Sequence, residues 1–446
     1  MIVFFLFGSI IRTMMGKSSE TTATEGDMED RISSLPRNVI DLILDRVPIR
    51  DAARASLLSS KWRYVLAEYP HLRFNQQFSN AIARNRLPSE FNNDYVHIVN
   101  RILLQHFGPI LKFVLDLPEL HPMRLSDVDQ WMLFLSRKGV RELTFDNSSS
   151  SPYKLPAYIF SFSELTYLKT SRCIFRPPTT FEGFSKLNRL ILVEITFGSS
   201  VLNVPQLVIL ILRNCSGVHH LNVSAPQLQK LTLYENDYLA LDNYMICKKL
   251  AYAYLALPNG IQQHRQGERI SLQELFGCWN TLTNAYLDGR FLKYLAAGII
   301  PGRLPTTMDC LRQLMLFRIS FDLDQTACIL CLLQSSLCLQ KFEIWIESVA
   351  DNDVTVLNYL EEPSRTNQTI DGLQTVKIRY FKGSKPEVLF IKLLLSCAPS
   401  LEKIYIEEDE KLLLNERLRI AKELMRFSRA STKAEMMFQP LNSAST

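Results

Sequence analysis

The chain has 446 residues, of which 47% are apolar and 21% charged, and a formal net charge of +5 at neutral pH. That is ordinary globular composition, long enough for two or three domains or for one extended repeat domain with a small appendage. The mild charge excludes a strongly basic domain, in which clustered Lys and Arg mark nucleic-acid binding, so no nucleic-acid partner is expected.

Taken in order, Ile2 to Ile11 look like the apolar core of a signal peptide, but no cation precedes them and no small-x-small cleavage site follows closely. The stretch is about half the length a membrane-spanning helix needs. It is expected to be a dispensable extension, with Met14, Met15 and Met28 as alternative starts and no membrane partner. Residues 16–29 are rich in Ser, Thr, Glu and Gly and offer almost nothing to bury, so residues 1–28 are expected to be disordered.

Asp30 to Arg63 carry an unusually dense apolar pattern. Pro36 suits a first helical turn, with Ser33 or Ser34 upstream as cap, and Ile40, Ile43, Leu44 and Val47 recur on one helical face until Pro48 stops it. A second helix fits Asp51 to Ser56. A third, from about Ser59 to Glu68, aligns Leu58, Trp62, Leu66 and Tyr69. Three such helices make a marginal core and leave apolar surface over for a partner.

This run resembles an F-box, through Ile32, Leu35, Pro36, Ile40, Ile43, Leu44, Val47, Pro48, Asp51, Ala52, Leu57, Leu58, Ser59, Trp62 and Arg63. The resemblance implies that residues 29–75 dock a Skp-family adaptor and, through it, a cullin. The adaptor-binding residues it implies are Ile32, Leu35, Pro36, Ile40, Ile43, Leu44, Pro48, Leu57, Leu58, Trp62 and Arg63.

Beyond it, Asn75 to Asn93 are polar and mixed and read as a connector, and Tyr95 to Phe107 have helical spacing; together residues 76–109 form a connector and capping helix. From residue 110 to 362 a repeat takes over, with the unit apolar-x-x-apolar-x-apolar. Leu165-x-x-Leu168, Leu187-x-x-Leu190-x-Leu192, Leu207-x-x-Leu210-x-Leu212 and Leu228-x-x-Leu231-x-Leu233 are the clearest copies. Looser ones start near Ile110, Val140, Leu250, Leu282, Leu311, Leu339, Leu373 and Leu401. This is the leucine-rich-repeat signature: each unit gives one short strand whose inward side chains find partners only by stacking on the next unit. Residues 324–337 read as a convex-side helix, whereas Pro205 and Pro226 shorten the crossovers of the middle repeats into loops.

Residues 363–446 contain two longer repeats: strands at Leu373–Ile378 and Ser400–Ile406, helices at Glu387–Ser396 and Leu412–Phe427, and a last strand at Ala434–Phe438. Leu401, Ile404, Arg429, Ala430 and Ser431 make this tail resemble the FBD domain that closes many plant F-box proteins, where it would cap an open sheet edge. The expected fold is therefore α/β: a three-helix F-box, then a leucine-rich-repeat solenoid with a parallel sheet on its concave face, closed by an FBD-like cap. Glu407 to Glu410 read as a solvated turn, and Arg417, Arg419, Lys422 and Arg426 as helix-face partners of Glu416 and Glu423.

No hydrolase elbow, phosphate loop or metalloprotease pair is present, and Cys328 and Cys331 lack a second ligand pair, so neither enzyme nor cofactor nor metal is expected. Nine cysteines without framework spacing, several of them (Cys173, Cys215, Cys328) inside apolar runs, suggest a reducing compartment, cytoplasm or nucleus. The resemblance implies a substrate receptor of an SCF-type ubiquitin ligase whose repeat surface holds an unknown target protein for degradation. The alternative is an F-box/repeat scaffold working outside a ligase. By strand alternation the target-facing candidates are Lys169, Arg189, Ile209, Arg213, Lys230 and Tyr234, with Glu194 beside them.

Overall fold

The computed structural model describes residues 35–47, 49, 51–52, 60–83, 88–117, 125–149, 151–198, 200–238, 241–258, 270–296, 300–348, 354–363, 368–410, 412 and 414–440. Two compact units divide it, Met1–Leu187 and Asn188–Thr446.

In the first unit, α1 (Arg37–Leu44) starts directly after Pro36, whose carbonyl accepts from the Val39 and Ile40 N–H groups. It turns Ile40, Ile43 and Leu44 inward against Val65 and Leu66 of α2 (Ser60–Glu68) and against Tyr69. The chain then enters β1 (His71–Phe74), the first of four parallel strands with β2 (Lys112–Leu117), β3 (Glu142–Asn147) and, beyond a short pair, β5 (Tyr167–Ser171). The short pair is β4 (Tyr153–Lys154) with β6 (Cys173–Phe175).

The polar stretch expected to be a mere connector is instead structured. Asn75 to Asn93 hold α3 (Gln76–Ala83) and the start of α4 (Pro88–Gln105), which runs on through most of the helix expected over Tyr95 to Phe107, and the sheet has already begun at His71. Phe78 of α3 packs edge-on against Phe74 and Tyr95, with centroids 5.2 Å apart in each pair. Tyr95 in turn meets Trp131 of α5 (Leu125–Leu135), whose indole N–H donates to Asn100 at 2.6 Å. These few aromatic side chains supply enough buried area to fix α3, which reads as polar.

Among the described residues the second unit is a ladder of ten parallel strands. The early ones are β7 (Arg189–Val193), β10 (Ile209–Arg213), β12 (Lys230–Tyr234), β13 (Tyr252–Ala256) and β14 (Asn284–Asp288). They continue as β15 (Gln313–Ile319), β16 (Lys341–Ile346), β17 (Thr375–Phe381), β18 (Lys403–Glu408) and β19 (Glu435–Pro440). Register is kept from strand to strand: Leu190, Leu210 and Leu231 lie side by side, as do Leu192, Leu212 and Leu233, all fully buried. Between β7 and β12 the crossovers are the short strands β8 (Thr196–Phe197), β9 (Ser200–Asn203) and β11 (Leu221–Ser224), as Pro205 and Pro226 require.

Each early repeat leaves its strand through a residue in the left-handed region: Glu194, Asn214 and Glu235, with φ of 53°, 52° and 50°. Beyond that turn, buried Asn236 donates to the Leu212 carbonyl at 3.1 Å and accepts from the Cys215 N–H at 2.9 Å, so the turns of successive repeats are stapled together. Later repeats are longer and cross over through α-helices, among them α6 (Leu323–Ser335), α7 (Lys385–Cys397) and α8 (Leu414–Met425).

The C-terminal segment closes the sheet by adding strands of its own: β17, β18 and β19 extend the same parallel ladder. Two sets of charged residues sit elsewhere than their sequence suggests. Glu407 and Glu408 lie inside β18 rather than in a solvated turn, 5% and 4% exposed. Arg417 of α8 reaches Glu408 at 2.6 Å, across the fold, where a same-helix carboxylate was expected as its partner.

Candidate functional site

The N-terminal plug is built so that its inner face is filled by its own residues. Ile40, Ile43, Leu44, Ala52, Val65, Leu66 and Tyr69 form one buried cluster, with Leu35, Val39 and Val47 half-buried against it. Arg37 locks the two helices, bonding Asp41 at 3.1 Å, Glu68 at 3.2 Å and the Val65 carbonyl at 3.3 Å. On the outside stand Pro36, Leu42 (54% exposed) and Tyr64 (65% exposed). Leu104 and Phe107 are also bare, and the Phe107 N–H donates to the Ala67 carbonyl of α2 at 3.0 Å, which places this apolar pair next to the plug.

The sequence-derived adaptor residues therefore separate. Ile40, Ile43 and Leu44, assigned to the adaptor contact by resemblance, are buried in the plug's own core. Leu35 is half-buried and Pro36 exposed. Ile32, Pro48, Leu57 and Leu58 lie outside the described residues, and Trp62 and Arg63 are placed on α2 by their backbone. Leu42 and Tyr64, which the sequence reading did not single out, are exposed; at about 100° per residue Leu42 stands roughly 160° round the helix from Ile40 and Leu44, away from the buried stripe.

In the second unit, alternation turns every other strand residue outward. Arg189 and Arg213 are exposed, and Ile209, Lys230 and Tyr234 half-buried, on adjacent strands in register; Lys169 is half-buried on β5 of the first unit. Glu194 stands past the end of β7, in the turn, so it is not a strand position.

Continuing across the sheet, the outward side chains become aromatic. Tyr234 meets Tyr254 at 5.9 Å, Tyr254 stacks on Tyr286 at 6.0 Å with an 18° tilt, and Phe317 lies 5.2 Å from Tyr254. Tyr252 is 5.0 Å from Tyr286. Lys230 Nζ sits 4.3 Å over the Tyr252 ring, and the Arg213 guanidinium 5.3 Å over Tyr234. Burial pushes the Tyr254 hydroxyl up to about 12. Arg318 braces the platform from its edge, bonding Glu235 at 2.9 Å and fully buried Asp288 at 3.2 Å. Burial raises the Asp288 carboxyl above its usual range, opposed by the Arg290 N–H, Arg318 and the Leu257 N–H.

Past the aromatic platform lies an ion network. Lys377 meets Glu407 at 2.7 Å, and Arg379 lies between Glu343 at 2.8 Å and Glu407 at 3.4 Å, with its guanidinium 4.9 Å from the Trp345 ring. A recess of about 240 Å³ opens beside it, lined by Gln313, Lys341, Glu343, Thr375, Lys377 and Tyr405 among others.

Residues 32–70, which contain α1 and α2, match the F-box domain family. Residues 128–252 match the family described as FBD-associated F-box protein At5g56370, LRR repeats. The F-box/FBD/LRR-repeat protein At1g13570 of Arabidopsis thaliana is 30% identical over 430 residues, spanning 93% of this chain and 99% of the relative. The chain belongs to the F-box/FBD/LRR-repeat family.

Two further members from the same plant align over shorter stretches. F-box/LRR-repeat protein At3g59200 is 36% identical over 31% of this chain and 26% of its own length, and F-box/FBD/LRR-repeat protein At5g56420 is 26% identical over 47% and 50%. In this F-box protein, then, the helical plug is the family's F-box and the ladder its leucine-rich repeats. Among the described residues no helix is long and apolar enough to cross a membrane.

Proposed function

We propose that this F-box protein is the substrate-recognition subunit of an SCF-type ubiquitin ligase. The plug docks a Skp-family adaptor and, through it, a cullin, while the outward sheet face holds a target protein. The observation that carries the reading is the division of labour within the plug: its core is satisfied internally, yet Leu42 and Tyr64 remain exposed on the other side. Large apolar side chains of that kind act as interface anchors, and truncating one typically weakens binding by about 2 kcal/mol or more. The contribution to ubiquitin transfer is proximity: holding a target lysine near a carrier enzyme's thioester turns a bimolecular encounter into an effectively intramolecular one.

The test is recovery of the cullin from plant extract on immobilised full-length chain, compared with a Leu42→Arg variant, together with the ubiquitination of proteins retained on the sheet face. The proposal requires cullin with the wild type, none with the variant, and ubiquitin on retained proteins once carrier enzyme is added. Adaptor recovered without cullin would favour a scaffold outside a ligase.

A further inference from the structure

We infer that the outward sheet face of the second unit takes an extended acidic segment of the target, an apolar side chain resting on the tyrosine platform and carboxylates meeting Lys341 and Lys403. This rests on the reading of the chain as a target receptor and names the chemistry that receptor selects.

Three observations carry it. First, the tyrosine rings of the platform come half-buried from neighbouring strands, with Phe317 buried beside them, and the hydroxyls of Tyr252, Tyr254 and Tyr286 have no hydrogen-bond partner among the described residues. Rigid aromatic area with spare hydroxyls is the surface that protein partners use as an anchor. Second, the neighbouring cations are unevenly committed. Lys377 and Arg379 are neutralised by Glu407 and Glu343, whereas exposed Lys341 and Lys403 make no ion pair among the described residues, although Lys403 has Glu435 of β19 as its in-register neighbour. They occupy the same outward register position on β16 and β18, with Thr375 of β17 between them. Third, Lys341 borders the recess of about 240 Å³, which Gln313, Thr375, Lys377 and Glu343 also line; Glu343 is held by Arg379, so Lys341, Thr375 and Gln313 are left to meet one acidic side chain.

Spacing favours a peptide over a nucleic acid. Neighbouring strands lie roughly 5 Å apart, so Lys341 and Lys403 are separated by about 10 Å, or about three residues of extended chain. From Lys230 to Lys341 the same count gives about 20 Å, or about six residues. A single-stranded nucleic acid would also stack on tyrosines, but its phosphates call for a continuous basic track, and these cations are isolated.

The experiment measures binding of the full chain, complexed with its adaptor, to fluorescent random Glu–Tyr copolymer peptide. A Lys–Tyr copolymer and oligothymidine are measured in parallel. The inference predicts binding of the Glu–Tyr copolymer alone, weakened at least about tenfold by Lys341→Glu with Lys403→Glu and by added salt. A Tyr254→Ser, Tyr286→Ser variant should lose binding as well; because it alters packing, the exposed lysine pair, checked for an unchanged melting temperature, decides if that variant fails to fold. No binding of the Glu–Tyr copolymer, equal binding by the lysine variant, or comparable binding of either control polymer overturns it. Adaptor and cullin recovery are scored on the same samples: cullin without copolymer binding sinks this inference alone, and copolymer binding without cullin sinks the ligase reading alone.

Discussion

The Tyr69 hydroxyl donates a 2.5 Å hydrogen bond to the Asp45 carboxylate and thereby ties the end of α1 to the residue that leads into the first strand. The same carboxylate meets His71 Nδ1 at 3.0 Å and the Arg73 guanidinium at 3.3 Å, both on β1. One acidic side chain thus joins the F-box plug to the sheet that follows it.

That joint has a pH signature. Burial works to raise the Asp45 pKa, but the bonds from Tyr69 and His71 and the charges of His71 and Arg73 outweigh it, so the carboxyl sits below its ordinary value. A depressed carboxyl stabilises the fold above its unfolded pKa, about pH 4, and loses that contribution as pH falls through the lower folded value. Asp45→Asn should therefore lower the melting temperature of the full chain at pH 7, and the gap to wild type should close as the pH is taken below about 4.

The repeat core makes a second prediction. Leu231 lies fully buried between Leu210 and Ala253 on adjacent strands. Leu231→Ala should cost about 2–5 kcal/mol, the range for a buried leucine that leaves a cavity. Thr232, the next residue, faces outward and is half-buried; Thr232→Ala should stay within about 0.5 kcal/mol. Denaturant unfolding monitored on both variants checks the contrast.

Thiol chemistry gives a third. Cys310 and Cys338 are exposed and Cys278 is half-buried, while the other six cysteines are buried. Burial pushes Cys173, Cys215 and Cys328 up to about 12, which leaves almost no thiolate at neutral pH. Titration of the native chain with a thiol reagent at pH 8 should show two fast thiols, Cys310 and Cys338, with the buried ones reacting only after denaturant is added.

The repeat ladder was legible because its signal is local and periodic: Leu210 and Leu212 face inward by simple alternation, and Pro205 and Pro226 announce short crossovers. What stayed hidden depends on partners distant in sequence. Glu407 and Glu408 look solvated until Lys377, Arg379 and Arg417 are brought to them. The helix over Gln76–Ala83 reads as connector because Phe78 and Ile82 are its main apolar signal. The tyrosine platform draws its rings from four strands, and each ring taken alone is an ordinary strand residue. In the F-box, family resemblance named the right stretch without dividing inner from outer faces, and the structure buries Ile43 while leaving Leu42 exposed.

Titration calorimetry of the full chain against a purified Skp-family adaptor, comparing wild type with Leu42→Arg and Tyr64→Ala, tests the docking face most directly. The plug geometry predicts a losing variant in each case, at least about tenfold weaker, with melting temperature and repeat-domain fold unchanged. Affinities equal to wild type in both variants would contradict it, because the adaptor would then have to seat elsewhere on the chain.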